Sequence, residues 1–390
     1  MELMTTAREE AAPTFENWKQ RLEQAEPDRL AEELERFQQM LAALGTPMTD
    51  GAKVHFVYHN ADARRVMLVG EFNDWGRNGP EIAMVRLGDT GVFHHTLIVS
   101  EPARLEYKFI VDGEWQTDPL CPGTVDNGIG GQNSFFIIGD FTDPPELEWK
   151  SDIPRGHVEE FEFSSERLGN TRRVYVYLPP AYDRGDGAHF RSFYVHDGGE
   201  YLRNARMSTL MDNLINTGDI PPIVIVMLDP VNRMHEYWAN DDYTDFLCSE
   251  FIPKIDKRYR TINDRAARGV MGASLGGLIS TYVALSHPRL FSKVAGQSSA
   301  FFLEQEKTAA LLQNIKGSRI SFYFDVGKYE PRFIPDHKRL VALLEKKRWP
   351  CKYQELPGGH NWTSWRAHLK DLLVFLWGHL PAKNSRTRRR

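Results

Sequence analysis

The chain has 390 residues, of which 41% are hydrophobic and 26% charged, and a formal net charge of -5. That length exceeds what one hydrophobic core usually organises, and the weak acidity leaves no basic face for nucleic acid. Cys121, Cys248 and Cys351 lie far apart without a CxxC pair, so neither a zinc site nor a disulfide framework is indicated, and no apolar run approaches the roughly 18 residues of a membrane span.

Met1 to Leu30 is charged throughout and lacks the apolar core of a signal peptide, so with the free thiols a cytoplasmic protein is expected. Phe15, Trp18 and Leu22, then Leu30, Leu34, Phe37 and Leu41, recur at helical spacing, and Pro27 separates two helical pieces that Gly45-Thr46-Pro47 ends. Such a pair is expected to pack on a neighbouring domain or on a second copy of the chain, which leaves a homo-oligomer open. From Gly51 the period changes to two: Val54, Phe56, Tyr58; Val66, Leu68, Gly70; Val92, His94, Thr96, Ile98; Tyr107, Phe109, Val111. Turn signals at Asn73-Asp74, Gly88-Asp89 and Asp112-Gly113 separate these runs, and short strands at such spacing predict a β-sandwich.

Asp143-Pro144-Pro145 and Asp152-Ile153-Pro154 mark a linker, after which strand and helix signals alternate. Strands are expected at Arg173 to Leu178, Phe193 to His196, Ile223 to Leu228, Arg268 to Met271, Val294 to Gln297, Ile320 to Val326 and Tyr353 to Leu356. Helices are expected at Phe246 to Tyr259, Leu275 to Ser286, Pro335 to Lys347 and Trp365 to His379. This alternation predicts a mainly parallel sheet covered on both faces, with ligands at the carboxyl ends of its strands. The expected division is a helical segment at 1–48, a sandwich at 49–142, a linker at 143–156, an α/β domain at 157–381 and a basic, disordered tail at 382–390.

Gly272-Ala273-Ser274-Leu275-Gly276-Gly277 falls between a short apolar strand and a helix. A serine hydroxyl is a poor nucleophile unless it is held where a base reaches it, and a sharp strand-to-helix turn flanked by glycines does this. The base is expected at His360 in Gly358-Gly359-His360-Asn361-Trp362, late in the chain, with His368 and His379 as surface or packing residues of the closing helix. The acid belongs in Asp325-Val326-Gly327-Lys328-Tyr329-Glu330: Glu330 lies in the loop, Asp325 within the strand, and Asp336 comes third. Backbone N–H groups of Leu275 and of Gly199, in His196-Asp197-Gly198-Gly199, are the expected oxyanion donors.

Residues from about 157 to 381 resemble the esterase D-type α/β-hydrolases, among them enterochelin esterases, feruloyl esterases and mycolyltransferases. The resemblance rests on Val195 to Gly199, Arg233-Met234-His235-Glu236-Tyr237, Phe251-Ile252-Pro253, Tyr259-Arg260-Thr261, Gly272 to Gly277, Gly296-Gln297-Ser298-Ser299, Glu330-Pro331 and Gly359 to Trp362. It implies a doubly wound α/β-hydrolase sheet, supports Glu330 as the acid, and implies that Arg233, Glu236 and Tyr237 line the substrate pocket, with a bridge between Arg233 and Glu236 that only stiffens the loop as the equal alternative. The sandwich resembles a different family, the immunoglobulin-like glycogen- and starch-binding modules. That resemblance is carried by Gly70-Glu71-Phe72-Asn73-Asp74-Trp75, Tyr107 to Trp115, Asp118-Pro119 and Gln132-Asn133. By position Trp75, Lys108, Trp115 and Asn133 match the residues that grip glucan in binding members, while a module without sugar, acting as a spacer or an active-site wall, is the alternative. The resemblance also sets the sandwich apart from the different-looking N-terminal domain expected of an enterochelin esterase.

The expected function is a serine carboxylesterase acting by an acyl-enzyme, with a siderophore trilactone as the first substrate class and a feruloyl or acetyl carbohydrate ester as the alternative. A carbohydrate-binding scaffold with a silent hydrolase domain is the non-enzymatic alternative. No metal or organic cofactor is implied, and the partner is a small-molecule or carbohydrate ester.

Overall fold

Thr14 accepts the Asn17 amide on its hydroxyl and so caps a helix over Phe15–Gln24. A second helix, Leu30–Leu44, ends at Gly45, whose positive φ of 77° suits a residue without a Cβ. These belong to a computed structural model that describes residues 14–77, 79–127, 130–317 and 319–378. His379 and the basic tail lie outside the described residues. The chain divides into two compact units, Met1–Phe141 and Thr142–Arg390.

In the first unit, one sheet orders β1 (Met48–Asp50), β2 (Lys53–His59), β6 (Val92–Ile98) and β5 (Val85–Arg86). The other orders β4 (Ile82–Ala83), β3 (Val66–Gly70), β7 (Ala103–Val111), β10 (Gln132–Ile138) and β9 (Thr124–Asp126), with β8 (Glu114–Gln116) paired to β7. Period-two alternation predicts that β2 buries only Val54, Phe56 and Tyr58. Instead all five residues Val54 to Tyr58 are buried. The helices supply the reason: Phe15, Trp18, Leu22, Phe37 and Leu41 pack with Val57, Leu87 and Val92, so the first sheet is covered on both faces.

In the second unit, β11 (His157–Ser165), β12 (Asn170–Leu178), β13 (Arg191–His196), β14 (Ile223–Leu228), β15 (Arg268–Ala273), β16 (Lys293–Gln297), β17 (Ser321–Gly327) and β18 (Cys351–Leu356) form one sheet. Its order is β11-β12-β14-β13-β15-β16-β17-β18, antiparallel at the first two pairings and parallel thereafter. β14 is buried at every position, as its unbroken Ile-Val-Ile-Val-Met-Leu run requires between two helical layers. One core packs Val176, Tyr194 and Val226 against Leu278, Tyr282 and Leu340, and another packs Tyr177, Phe193 and Ile225 against Leu210, Leu369 and Leu373. The edge strand β11 carries no clean apolar alternation, because only Phe163 and Ser165 of it are buried. The predicted helix at 246–259 has a wide π turn over Phe246–Phe251 before Ile252–Arg258, with Pro253, which has no N–H to donate, at the junction.

Candidate active site

Ser274 sits between β15 and the helix Leu275–Ser286 with φ 58° and ψ -121°, a conformation that a residue bearing a Cβ adopts only under constraint. The constraint is visible: the Ser274 N–H donates to the Gln297 carbonyl at 2.8 Å, and its carbonyl accepts from Ala300 at 3.0 Å. Glycine is required around it. A Cβ on Gly272 would stand 2.5 Å from the Gly276 backbone, and one on Gly277 would stand 2.2 Å from Ser299 Oγ. The first helical bonds run from Gly277 and Leu278 to the Ser274 carbonyl at 3.1 and 3.2 Å, so the Leu275 N–H precedes the ladder and points from the helix start.

The loops after β17 and β18 bring Glu330 and His360 together. His360 Nδ1 and Glu330 Oε1 are 2.6 Å apart, with Glu330 buried and His360 at 31% side-chain exposure, which leaves the ring accessible from the sheet end. Glu330 Oε2 accepts from Ser298 Oγ at 2.6 Å and from the Gly327 N–H at 2.7 Å. The His360 ring is clasped by Phe333, at 4.7 Å between centroids, and by the edge of Trp365 at 5.0 Å. Asp325 lies elsewhere. It is buried on β17, accepts from Gln297 Nε2 at 3.2 Å, and burial pushes its carboxyl up to about 8. Asp336 opens the helix Ile334–Lys346 and bonds Gln305. Among the remaining histidines, His368 is part-buried and burial lowers its pKa, whereas His196 is fully buried against Ser280 and pushed down to about 3.

Other expected site residues are committed differently. The Gly199 N–H donates to Asp229 Oδ1 at 2.6 Å, so here it is not free to meet a carbonyl oxygen; a carboxylate is the stronger acceptor and claims it. Glu236 is buried and faces Arg172, with bonds of 2.9 and 3.1 Å, rather than any pocket. Tyr237 is fully buried and its hydroxyl accepts the Asp197 N–H at 3.2 Å, which makes it a core residue. Arg233 remains part-exposed but is held by Asp197 through two bonds of 2.8 and 2.9 Å. The expectation that Arg233 and Glu236 line one pocket together is therefore replaced by two separate ion pairs. Ser298, Gly327 and Trp365 carry no role legible in the sequence; the stretch Gly296 to Ser299 stands out only by its resemblance, without a chemical reason.

In the first unit, strand alternation and register put Lys108, Trp115 and Asn133 on one face of the second sheet. Trp115 is 52% exposed. Asn133 is buried and donates one amide N–H to Glu106 at 2.8 Å, which ties its side chain to a neighbour within the sheet. Trp75 lies at half-exposure in the turn Glu71–Gly76 with φ 56°.

Among the described residues, no group of His, Cys, Asp and Glu could hold a metal ion, and no helix is long and apolar enough to cross a membrane. The Esterase family model matches residues 165–376, and the model for the glycogen recognition site of AMP-activated protein kinase matches 52–141. The iron(III) enterobactin esterase of Escherichia coli is 28% identical over 275 residues, covering 67% of this chain and 67% of that one. An endo-1,4-beta-xylanase/feruloyl esterase of Xylanibacter ruminicola is 27% identical over 290 residues, covering 66% of this chain and 39% of its own. The crystal structure of the ferric enterobactin esterase from Salmonella typhimurium superposes with a TM-score of 0.71 at 22% identity, covering 88% of this chain and 98% of that one. That coverage exceeds the second unit alone, so the likeness of fold extends into the first, and the expected contrast between the two N-terminal domains does not hold.

Proposed function

Since the chain belongs to the esterase family and is an enzyme of carboxylic-ester hydrolysis, we propose that it works through an acyl-enzyme on Ser274, with His360 as base and Glu330 as the triad acid. The observation that carries this reading is the 2.6 Å contact of Glu330 with His360 Nδ1, on the loops after β17 and β18, with β16 between these strands and the one that leads into Ser274. Glu330 holds the Nδ1–H tautomer, so the opposite nitrogen, Nε2, is the basic one. Nε2 takes the Ser274 hydroxyl proton as Oγ bonds to the ester carbonyl carbon, and the carbonyl oxygen becomes an oxyanion that the Leu275 N–H stabilises. Collapse breaks the bond to the alcohol oxygen, which leaves with the proton from Nε2. Water then repeats the sequence on the acyl-enzyme, releasing the acid and restoring Ser274.

The proposed substrate is a siderophore trilactone, supported by the E. coli relative's name and by the walls of the site. Phe333 lies tilted against His360, Phe302 meets Phe333 at 5.1 Å, and the Arg332 guanidinium lies 3.9 Å over Phe302. Flat aromatic faces beside a cation suit an electron-rich, anionic aryl group. Arg233, at the site's rim, is the second cation proposed to meet such a group. A panel of trilactone, feruloyl, acetyl and p-nitrophenyl esters, scored by kcat/KM, ranks the substrates, and a fluorophosphonate probe tests the chemistry. Labelling that persists in Ser274→Ala overturns the nucleophile assignment.

A feruloyl or acetyl ester on carbohydrate is the second reading, favoured by the glycogen-recognition match and by the exposed Trp115. Retardation on glycogen or xylan gels that is lost in Trp115→Ala supports it; an inert profile on both removes it. A silent hydrolase domain finds no support in a site whose proposed base and acid are already joined.

A further inference from the structure

The groups proposed to do the chemistry sit on loops after β15, β17 and β18, and their reaction geometry must be held to within a fraction of an ångström. The strand between, β16, ends in the turn Gln297-Ser298-Ser299-Ala300. Its two ends grip the nucleophile's backbone: Gln297 accepts the Ser274 N–H and Ala300 donates to the Ser274 carbonyl. Its middle turns the other way. Ser298, buried with φ 44°, donates its N–H to the Asp325 carbonyl at 2.8 Å and its hydroxyl to Glu330 Oε2 at 2.6 Å.

The direction of that hydroxyl is set by a neighbour. Trp365 Nε1, a group that only donates, reaches Ser298 Oγ at 3.0 Å, so the single hydroxyl proton has to point away from it, toward Glu330. With the Gly327 N–H also on Oε2, that oxygen is occupied and Oε1 alone faces His360. We propose that the turn Gln297–Ala300 is the frame that locks nucleophile and acid together, and that Ser298, oriented by Trp365, is the positioning residue that aims Glu330 at His360. This rests on the acid–base reading of Glu330 and His360 given above.

The test measures kcat and KM on a p-nitrophenyl ester for Ser298→Ala and Ser298→Gly, each in the wild-type and Glu330→Gln backgrounds, with thermal melts. Glycine suits the positive φ, so Ser298→Gly supplies a folded variant where alanine is strained. In the wild-type background kcat falls roughly 10- to 100-fold, the size expected for losing a hydrogen bond to a charged group, while KM shifts by about twofold or less. In the Glu330→Gln background the same changes cost less than about threefold, because residues acting through one another are not additive. Wild-type kcat in both Ser298 variants, or equal losses in both backgrounds, overturns the proposal. If Glu330→Gln itself keeps full kcat, the acid–base reading fails and takes this one with it. If Glu330→Gln is impaired and the Ser298 variants are not, only the positioning role fails.

Discussion

Replacing Glu330 by Gln exchanges one carboxylate oxygen for an NH2 group, yet the structure makes the outcome severe. The Oε2 site receives the Gly327 N–H, which is fixed in the backbone, and the Ser298 hydroxyl. An amide nitrogen there would set N–H against N–H, so the carbonyl oxygen of the substituted side chain takes that place and its NH2 faces His360 Nδ1. The imidazole must then accept at Nδ1 and carry its proton on Nε2, the nitrogen that has to be free to take the Ser274 proton. A wrong tautomer of this kind costs on the order of 10³- to 10⁴-fold in kcat, or about 4–5 kcal/mol of barrier. Steady-state hydrolysis of a p-nitrophenyl ester gives kcat, and a thermal melt confirms that the shape-preserving change leaves the fold intact. Asp325→Asn is the matched control: it replaces a buried carboxyl that accepts from Gln297 and does not touch His360, so its kcat stays within about tenfold of wild type. Activity of Glu330→Gln within about tenfold of wild type, or a larger loss in Asp325→Asn, refutes the assignment of Glu330 as the acid.

Two further outcomes follow from buried charge. Glu236→Ala strands the Arg172 guanidinium, whose side chain has no exposure, and loses roughly 3–5 kcal/mol of stability in urea unfolding; a loss under about 1 kcal/mol shows the pair to be dispensable. Asp325→Asn becomes more stabilising as pH rises. The wild-type carboxyl holds its proton in the fold up to about 8 but releases it near 3.8 when unfolded, so wild-type stability is lost between those values at about 1.4 kcal/mol per pH unit. Urea melts at pH 5 and pH 8 therefore show the variant's advantage growing by something on the order of 4 kcal/mol, whereas a pH-independent difference contradicts a proton held at Asp325.

Much of the site was readable because its demands are local. The turn at Ser274 needs small neighbours on both sides, and Gly272, Gly276 and Gly277 declare that within one short motif. The helix Leu275–Ser286 and the strand Ile223–Leu228 match their predicted bounds, since an unbroken apolar run and a glycine-led helix are properties of the segments themselves. The order of Ser274, Glu330 and His360 along the chain likewise follows from strands laid down in sequence, each ending in a loop at the same edge of the sheet. Partner choice was a different matter. Whether Arg233 meets Glu236 or Asp197, whether the Gly199 amide faces solvent or Asp229, and whether Val57 is exposed or covered by Phe37 and Leu41, all depend on separate segments brought to one place by strand register and helix docking. Ser298 is the sharpest case. Its type and spacing carry no chemical signal, and the role proposed for it exists only because β16 lies between the strand that leads into Ser274 and the strand that leads to Glu330. Residue types and their local spacing set which groups are available to react; packing of distant segments sets which of them are free to do so, because a hydrogen-bonding group serves whichever partner the fold brings nearest.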